Sequence, residues 1–299
     1  MPITAGLTSS LGAALLLLAA AGVAEPLPKD PLERRCWLAH TQQRTGADLR
    51  EPVRVRISNL RNGYQLRAPF WVEFGIRGMG VIPAGTKHDK AGHHHLLIDT
   101  PLPKDPREQI PFSSTHKHFG KGQTGTELDL PPGEHTLRLL FADHEHRPYF
   151  VFSPEITVRV LGRRDATTPT VDAKDFEASC ALWYQDHLST PPGKARQVYV
   201  KNLRDEEPVT SPFVLSLGVI GFGIAPAGQS IADTGHFELI VSGRGGAPSQ
   251  RVLLADGRTE AMLDLPRGDY EIELRLLDGS GAALLKAPPL RVPVVRQER

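Results

Sequence analysis

Apolar and polar residues alternate along much of this chain. Over residues 269–276, Tyr270, Ile272, Leu274 and Leu276 alternate with Asp269, Glu271, Glu273 and Arg275, the period of a strand with one wet face. The turn Pro266-Arg267-Gly268 precedes that run, as Pro131-Pro132-Gly133 precedes a similar run over 134–141. Residues 53–57, 70–76, 93–99 and 156–160 are further strand candidates, with cognates downstream. Short strands between Gly/Pro turns, with no long helical period, predict an all-β chain of immunoglobulin-like sandwiches. Tyr270, at the head of a late strand just after a turn, fits a tyrosine corner.

The pattern occurs twice. Asn59-Leu60-Arg61, Pro69-Phe70, Gly75, Gly78, Gly80, Pro83-Ala84-Gly85, Gly92-His93 and Leu96 recur 143 residues later. Their partners are Asn202-Leu203-Arg204, Pro212-Phe213, Gly218, Gly221, Gly223, Pro226-Ala227-Gly228, Gly235-His236 and Leu239. Gly122, Thr124, Leu128-Asp129-Leu130-Pro131, Gly133, Leu139 and Asp143 recur at a spacing of 135, from Gly257 to Asp278. A tandem duplication follows, with one loop eight residues shorter in the second copy. Each copy is too long for a solenoid unit, so two tandem domains are expected. The division is 25–162 for the first, a polar linker over 163–175, and 176–299 for the second.

Residues 11–23 (LGAALLLLAAAGV) form an apolar run of signal-peptide length. Gly22 and Ala24 are the small residues that cleavage after Ala24 requires. The run is shorter than the about 20 residues of a membrane helix. Export to the periplasm is therefore the expectation, although residues 1–10 lack the Lys or Arg that usually opens such a leader. Cys36 and Cys180 head their respective copies 144 residues apart. If the copies pack about a pseudo-twofold axis, the two sulfurs can meet in one disulfide. The alternative is a buried free thiol in each first strand.

A net charge of +1 excludes an electrostatic nucleic-acid binder. Two cysteines exclude a Cys-rich metal cluster. Histidine is the anomaly, since eight of twelve fall between His93 and His146. Residues i and i+2 of a strand share a face, about 7 Å apart, so His-x-His can converge on one ion. Three such pairs occur, His93/His95, His116/His118 and His144/His146. The duplication is an internal control: His95 aligns with Glu238, His116 with Arg251, His118 with Leu253 and His144 with Gly279. The fold does not need those imidazoles. His94 aligns with Phe237 and His135 with Tyr270, which reads as core, His94 buried and hydrogen-bonded. The metal candidates are His95, His116, His118, His144 and His146, with His93 behind them because it recurs as His236. Asp89, Asp99, Asp143 and Glu145 could orient the rings, and Phe119 and Gln123 could line a recognition pocket. The glycine-rich Gly120-Lys121-Gly122-Gln123-Thr124 does not match a phosphate-binding loop.

Several strings carry a family resemblance: Gly78-x-Gly80, Pro83-Ala84-Gly85, Gly92-His93-His94-His95-Leu96-Leu97-Ile98-Asp99 and His118-Phe119-Gly120-Lys121-Gly122-Gln123-Thr124. They continue through Leu130-Pro131-Pro132-Gly133-x-His135-Thr136-Leu137 and Asp143-x-x-His146. With them, residues 69–160 resemble a bacterial exported-domain family of no assigned function, and the second copy looks like a degenerate member. The resemblance implies an exported β-rich domain and supplies no reaction, ligand or partner. The leading reading is non-enzymatic binding of a transition metal, copper or zinc, in the first copy. The alternative is a metal-free envelope module that recognises protein or polysaccharide. A metal-dependent enzyme with an open coordination position stands third.

Overall fold

The computed structural model describes residues 24–46, 53–105, 107–164 and 167–295. Of the expected leader, residues 1–24, all but Ala24 lie outside them. Two helices open the first copy, α1 (Pro31–Ala39) and α2 (Thr41–Thr45). Strands β1 (Arg54–Ile57), β2 (Tyr64–Ala68), β3 (Phe70–Arg77), β4 (Gly80–Val81) and β5 (Ala91–Ile98) follow. The copy closes with β6 (His116–Phe119), β7 (Gly125–Leu128), β8 (Gly133–Ala142), β9 (Pro148–Phe152) and β10 (Ile156–Arg163). Helix α3 (Phe176–Leu188) opens the second copy, before β11 (Gln197–Val200), β12 (Val209–Thr210), β13 (Phe213–Ile220), β14 (Gly223–Ile224) and β15 (Thr234–Gly243). Its last strands are β16 (Gln250–Leu253), β17 (Glu260–Leu263), β18 (Gly268–Leu277), β19 (Ala283–Lys286) and β20 (Leu290–Val295).

In the first copy β1, β3 and β7 form one sheet, and β2, β10, β8, β5 and β4 form the other, with β6 on β5 and β9 on β8. The second copy repeats this arrangement strand for strand, each index raised by ten. These are two sandwiches, as the alternation predicts. Phe70, Val72, Phe74 and Ile76 of β3 face Leu96 and Ile98 of β5 and Leu137, Leu139 and Phe141 of β8 in the dry interior. Tyr270 is buried and its hydroxyl donates to Pro266 O at 3.0 Å, the reach-back of a tyrosine corner. At the equivalent place His135 is half-buried rather than core, and its Nε2 lies 2.9 Å from Pro131 O while Nδ1 meets Asp99 at 2.7 Å.

Three helices among the described residues accompany the strands of this nearly all-β chain. Asp30 caps α1, accepting from the N–H of Leu32 and Glu33, and Pro31 holds the first helical position. Cys180, Trp183, Tyr184 and His187 do carry helical spacing, in a stretch too short to stand out. Each leading helical segment packs on the opposite copy. Arg44 of α2 pairs with buried Glu207, and the Asn202 amide donates to Arg44 O at 3.0 Å. Reciprocally, the Asn59 amide donates to Leu188 O at 2.9 Å and Arg67 pairs with Asp186 of α3. Where α1 meets α3, Cys36 and Cys180 form a disulfide with Cα atoms 5.6 Å apart. The pseudo-twofold pairing is the alternative that holds, and neither thiol is free.

The same axis organises the sandwich contact. Ile76 N–H donates to Thr259 Oγ1 at 3.1 Å, and its counterpart Val219 N–H donates to Thr124 Oγ1 at 3.0 Å. Val81 N–H meets Gly257 O at 2.9 Å, and Ile224 N–H meets Gly122 O at 2.8 Å. The glycine-rich motif is thus a docking surface for the other copy. Gly80 and Gly223 approach backbone so closely that a Cβ would stand 1.7 Å from Asp256 O and 1.8 Å from Lys121 O.

Two outcomes follow. Unreduced, denatured protein should show no titratable thiol, and reduction should cost stability, about 3–5 kcal/mol on the loop-entropy model. Gly80→Ala and Gly223→Ala should each lower the denaturant midpoint by pushing the copies apart, because the obstructing atoms are backbone.

Candidate metal centre

Strand β5 carries His93, His94 and His95, and the pleat divides them. His94 points into the sandwich between Phe74 and Phe141, ring centroids 5.2 and 5.0 Å away. Its core assignment holds, but neither ring nitrogen has a hydrogen-bond partner, contrary to expectation. Burial pushes the His94 ring from 6.5 down to about 3.

His93 and His95 point to the outer face of the same sheet. Antiparallel pairing sets His118 of β6 directly opposite His95. The fourth ring comes from His146 in the turn after β8. That turn is tied by Asp143, whose Oδ1 accepts from the N–H of Glu145 and Arg147, both at 2.9 Å. His146 itself stands at φ +65°, a left-handed backbone that side chains rarely adopt. The second copy builds the same turn on Asp278 and has Gly281, at φ +91°, in the equivalent place.

One ligand atom from each of His93, His95, His118 and His146 falls within a group no more than 4.8 Å across. His93 Nε2 lies 3.1 Å from His95 Nε2 and 3.1 Å from His146 Nδ1. A neutral imidazole nitrogen carries either one N–H or one in-plane lone pair, so both contacts cannot be aligned hydrogen bonds at once. Tetrahedral coordination at zinc–nitrogen distances spaces its donors by about 3.3 Å. The group could hold a metal ion. His93 and His95 are fully buried. Burial, followed by the neighbouring rings, holds His93 near 3 and His95 near 2, so both rings are neutral donors. Burial lowers His118 as well.

His116 and His144 are outside this group. The His116 ring lies 3.3 Å from Ser113 Oγ and 3.2 Å from Thr115 Oγ1. His144 contributes its carbonyl to Gly85 N–H at 3.1 Å. Three of the four carboxylates expected to orient rings are engaged elsewhere: Asp99 with His135 and the N–H of Thr136, Asp143 with its own turn, Glu145 with Arg147. Phe119 packs in the core against Phe74, while Gln123 accepts from Lys121 N–H and lines a cavity with Phe222 and Ile231 of the second copy. Reading the sequence missed Phe112. Its ring stacks on His118 at 4.6 Å and on His95 at 6.0 Å, and meets His146 edge-on at 4.9 Å. The signal for it was the extra length between β5 and β6, which the second copy lacks. In that copy Glu238 replaces His95 and pairs with Arg251 and Arg275, and Leu253 replaces His118.

The chain carries two copies of a β-sandwich domain, one with a buried imidazole cluster. A family model described as a domain of unknown function, DUF4399, matches residues 72–161 and 215–295, and the chain belongs to that family. No curated protein matches. Among solved structures, the fibronectin(III)-like modules of Clostridium thermocellum CbhA align over 82% of this chain and 97% of theirs, at 10% identity and a TM-score of 0.23. A two-domain fibronectin type-III segment of chicken tenascin aligns over 81% and 97%, at 12% identity and a TM-score of 0.19. Dimeric latent PorU of Porphyromonas gingivalis aligns over 84% of this chain and 21% of its own, at 13% identity and a TM-score of 0.28. The sandwich fold rests on the sheets described above rather than on these superpositions. No helix among the described residues is long and apolar enough to cross a membrane.

His94→Phe, which installs the residue of the second copy, should stabilise the protein by about 1–3 kcal/mol by removing two unpaired buried nitrogens. In chelator, stability should also depend on pH. The buried rings have folded values well below 6.5, so the unfolded chain binds more protons between the two. Stability is then full above about pH 6.5 and is lost progressively as pH falls towards about 3. Urea melts at stepped pH check the slope, which should be shallower in His94→Phe.

Proposed function

We propose that the first copy binds one transition-metal ion, copper or zinc, through His93, His95, His118 and His146. The observation that carries this reading is the double 3.1 Å approach to His93 Nε2, which a bound cation would satisfy and paired hydrogen bonds would not. The donor set is all imidazole, the chemistry of Cu(II), Zn(II) and Ni(II) sites. The role is binding, a reading supported by Asp99, Asp143 and Glu145, each of which is committed to a partner other than the four rings. The second copy serves as a structural or docking partner. Export is part of the same reading, supported by the apolar run ending at Ala24 and by a disulfide suited to an oxidising compartment. A metal-free module recognising protein or polysaccharide is the second reading. It is favoured by the His93 and His95 Nδ1 atoms, which lack the acceptors that metal-bound rings usually have.

Titration calorimetry and elemental analysis of the full chain should give one Cu(II) or Zn(II) per molecule. His146→Gly should lower affinity at least about tenfold without loss of apo stability, since it restores the backbone-compatible residue. His144→Ala should leave affinity unchanged. Retention of full affinity by both His146→Gly and His118→Ala would transfer the case to the metal-free module. N-terminal sequencing of cell-envelope material should begin at Glu25, and intact Met1 in the cytoplasm would refute export.

A further inference from the structure

Phe112 lies on the outer side of the four imidazoles, in the long β5–β6 connection, and is 58% exposed although it touches three of the rings. The chain on either side of it is fixed. Ile110 is buried with Leu97, Leu140 and Ala142, and its N–H donates to His146 O at 2.9 Å. Ser113 Oγ accepts from the N–H of Thr115 at 3.2 Å and of His116 at 3.1 Å, while Ser113 N–H meets His116 O at 3.2 Å. Phe112 is a single ring between two anchored segments, resting on three of the imidazoles. His116, read from the sequence as a ligand, is one of the anchors.

Beneath the ring, His118 Nε2 is buried and has no hydrogen-bond partner. At His93 Nε2 two nitrogens compete for one bond. Closing an apolar ring over such nitrogens keeps water from them, which disfavours the closed state when the cluster is empty. An ion reverses that balance by engaging the inward lone pairs that water can no longer reach. Closure and binding therefore favour one another, and the coupling is reciprocal.

We propose that Phe112 is a lid on the metal site, closing over the bound ion and slowing its escape. The proposal rests on the metal reading above. It is tested on the full chain, loaded with Zn(II) or Cu(II) and mixed with excess EDTA in a stopped-flow instrument. Phe112→Ala should release the ion about tenfold faster, the scale of a lost aromatic stacking contact, and Phe112→Leu should fall between it and the parent. In the parent protein, hydrogen exchange of the amides at 110–115 should slow when the ion binds. Melting curves identify any variant that fails to fold, and Phe112→Leu then decides the matter. Release from the variants at the parent rate, or exchange indifferent to the ion, overturns the lid and leaves the metal reading standing. A parent protein that takes up neither ion overturns both.

Discussion

Everything distinctive about the first copy depends on the pleat of β5. Three consecutive histidines cannot share a face of a strand, so His94 is committed to the interior while His93 and His95 point outward together. Outward would ordinarily mean wet. Here the β5–β6 connection and the turn after β8 fold back over that face, so that both rings are fully buried. The result is a polar cluster under cover, neutral because burial disfavours every added proton. A register shift of one residue would exchange the faces, placing one imidazole where two stand and two in the core.

The duplication shows what belongs to the fold and what belongs to the site. Both copies have the Asp-based turn after the long strand, yet one has Gly281 at its left-handed position and the other has His146. A β-carbon there costs on the order of 1 kcal/mol, and the fold has a costless solution in the neighbouring copy. The strain is explained by what the ring reaches. Glu238 gives the complementary lesson: with a carboxylate in place of His95, the second copy recruits Arg251 and Arg275 to neutralise it. The two copies have thus settled the same outward-facing position in different ways, one with an ion pair and one with clustered imidazoles.

Most of the sandwich was legible because alternation, turns and an internal repeat all point to it, from the run at 269–276 to the Tyr270 corner. The site was legible in part. Strand geometry pairs His93 with His95 and brings His118 and His146 into consideration. It cannot distinguish His118 from His116, since both lie on the outward face of β6 and only the position of the connecting loop decides which ring is engaged. His144 was overvalued because a His-x-His spacing means a shared face only on a strand, and His144 and His146 lie in a turn. The helices stayed hidden for a different reason. They are short, and although Cys180, Trp183, Tyr184 and His187 carry helical spacing, the surface that buries those residues belongs to the opposite copy.

That exchange of helices bears on why a copy without the imidazole cluster is kept. Strand β6 runs from His118 and Phe119 directly into Gly120, Lys121 and Gly122, and it is Gly122 O that receives Ile224 N–H from the second copy. Gly120 O in turn receives Ala84 N–H, and a side chain at Gly120 would collide with the His118 ring, 2.2 Å from its Cε1. The segment that presents His118 is therefore pinned at its far end by the other sandwich, and the disulfide and crossed helices keep that sandwich in place. Copies that each supply the other's leading helix cannot separate without exposing Cys36, Trp37, Trp183 and Tyr184, which are buried at their junction. The second copy can lose the ring cluster while remaining part of the frame that holds it, because the contacts that pin residues 122–124 come from the backbone of Ile224 and Val219 and from Lys201 rather than from any imidazole.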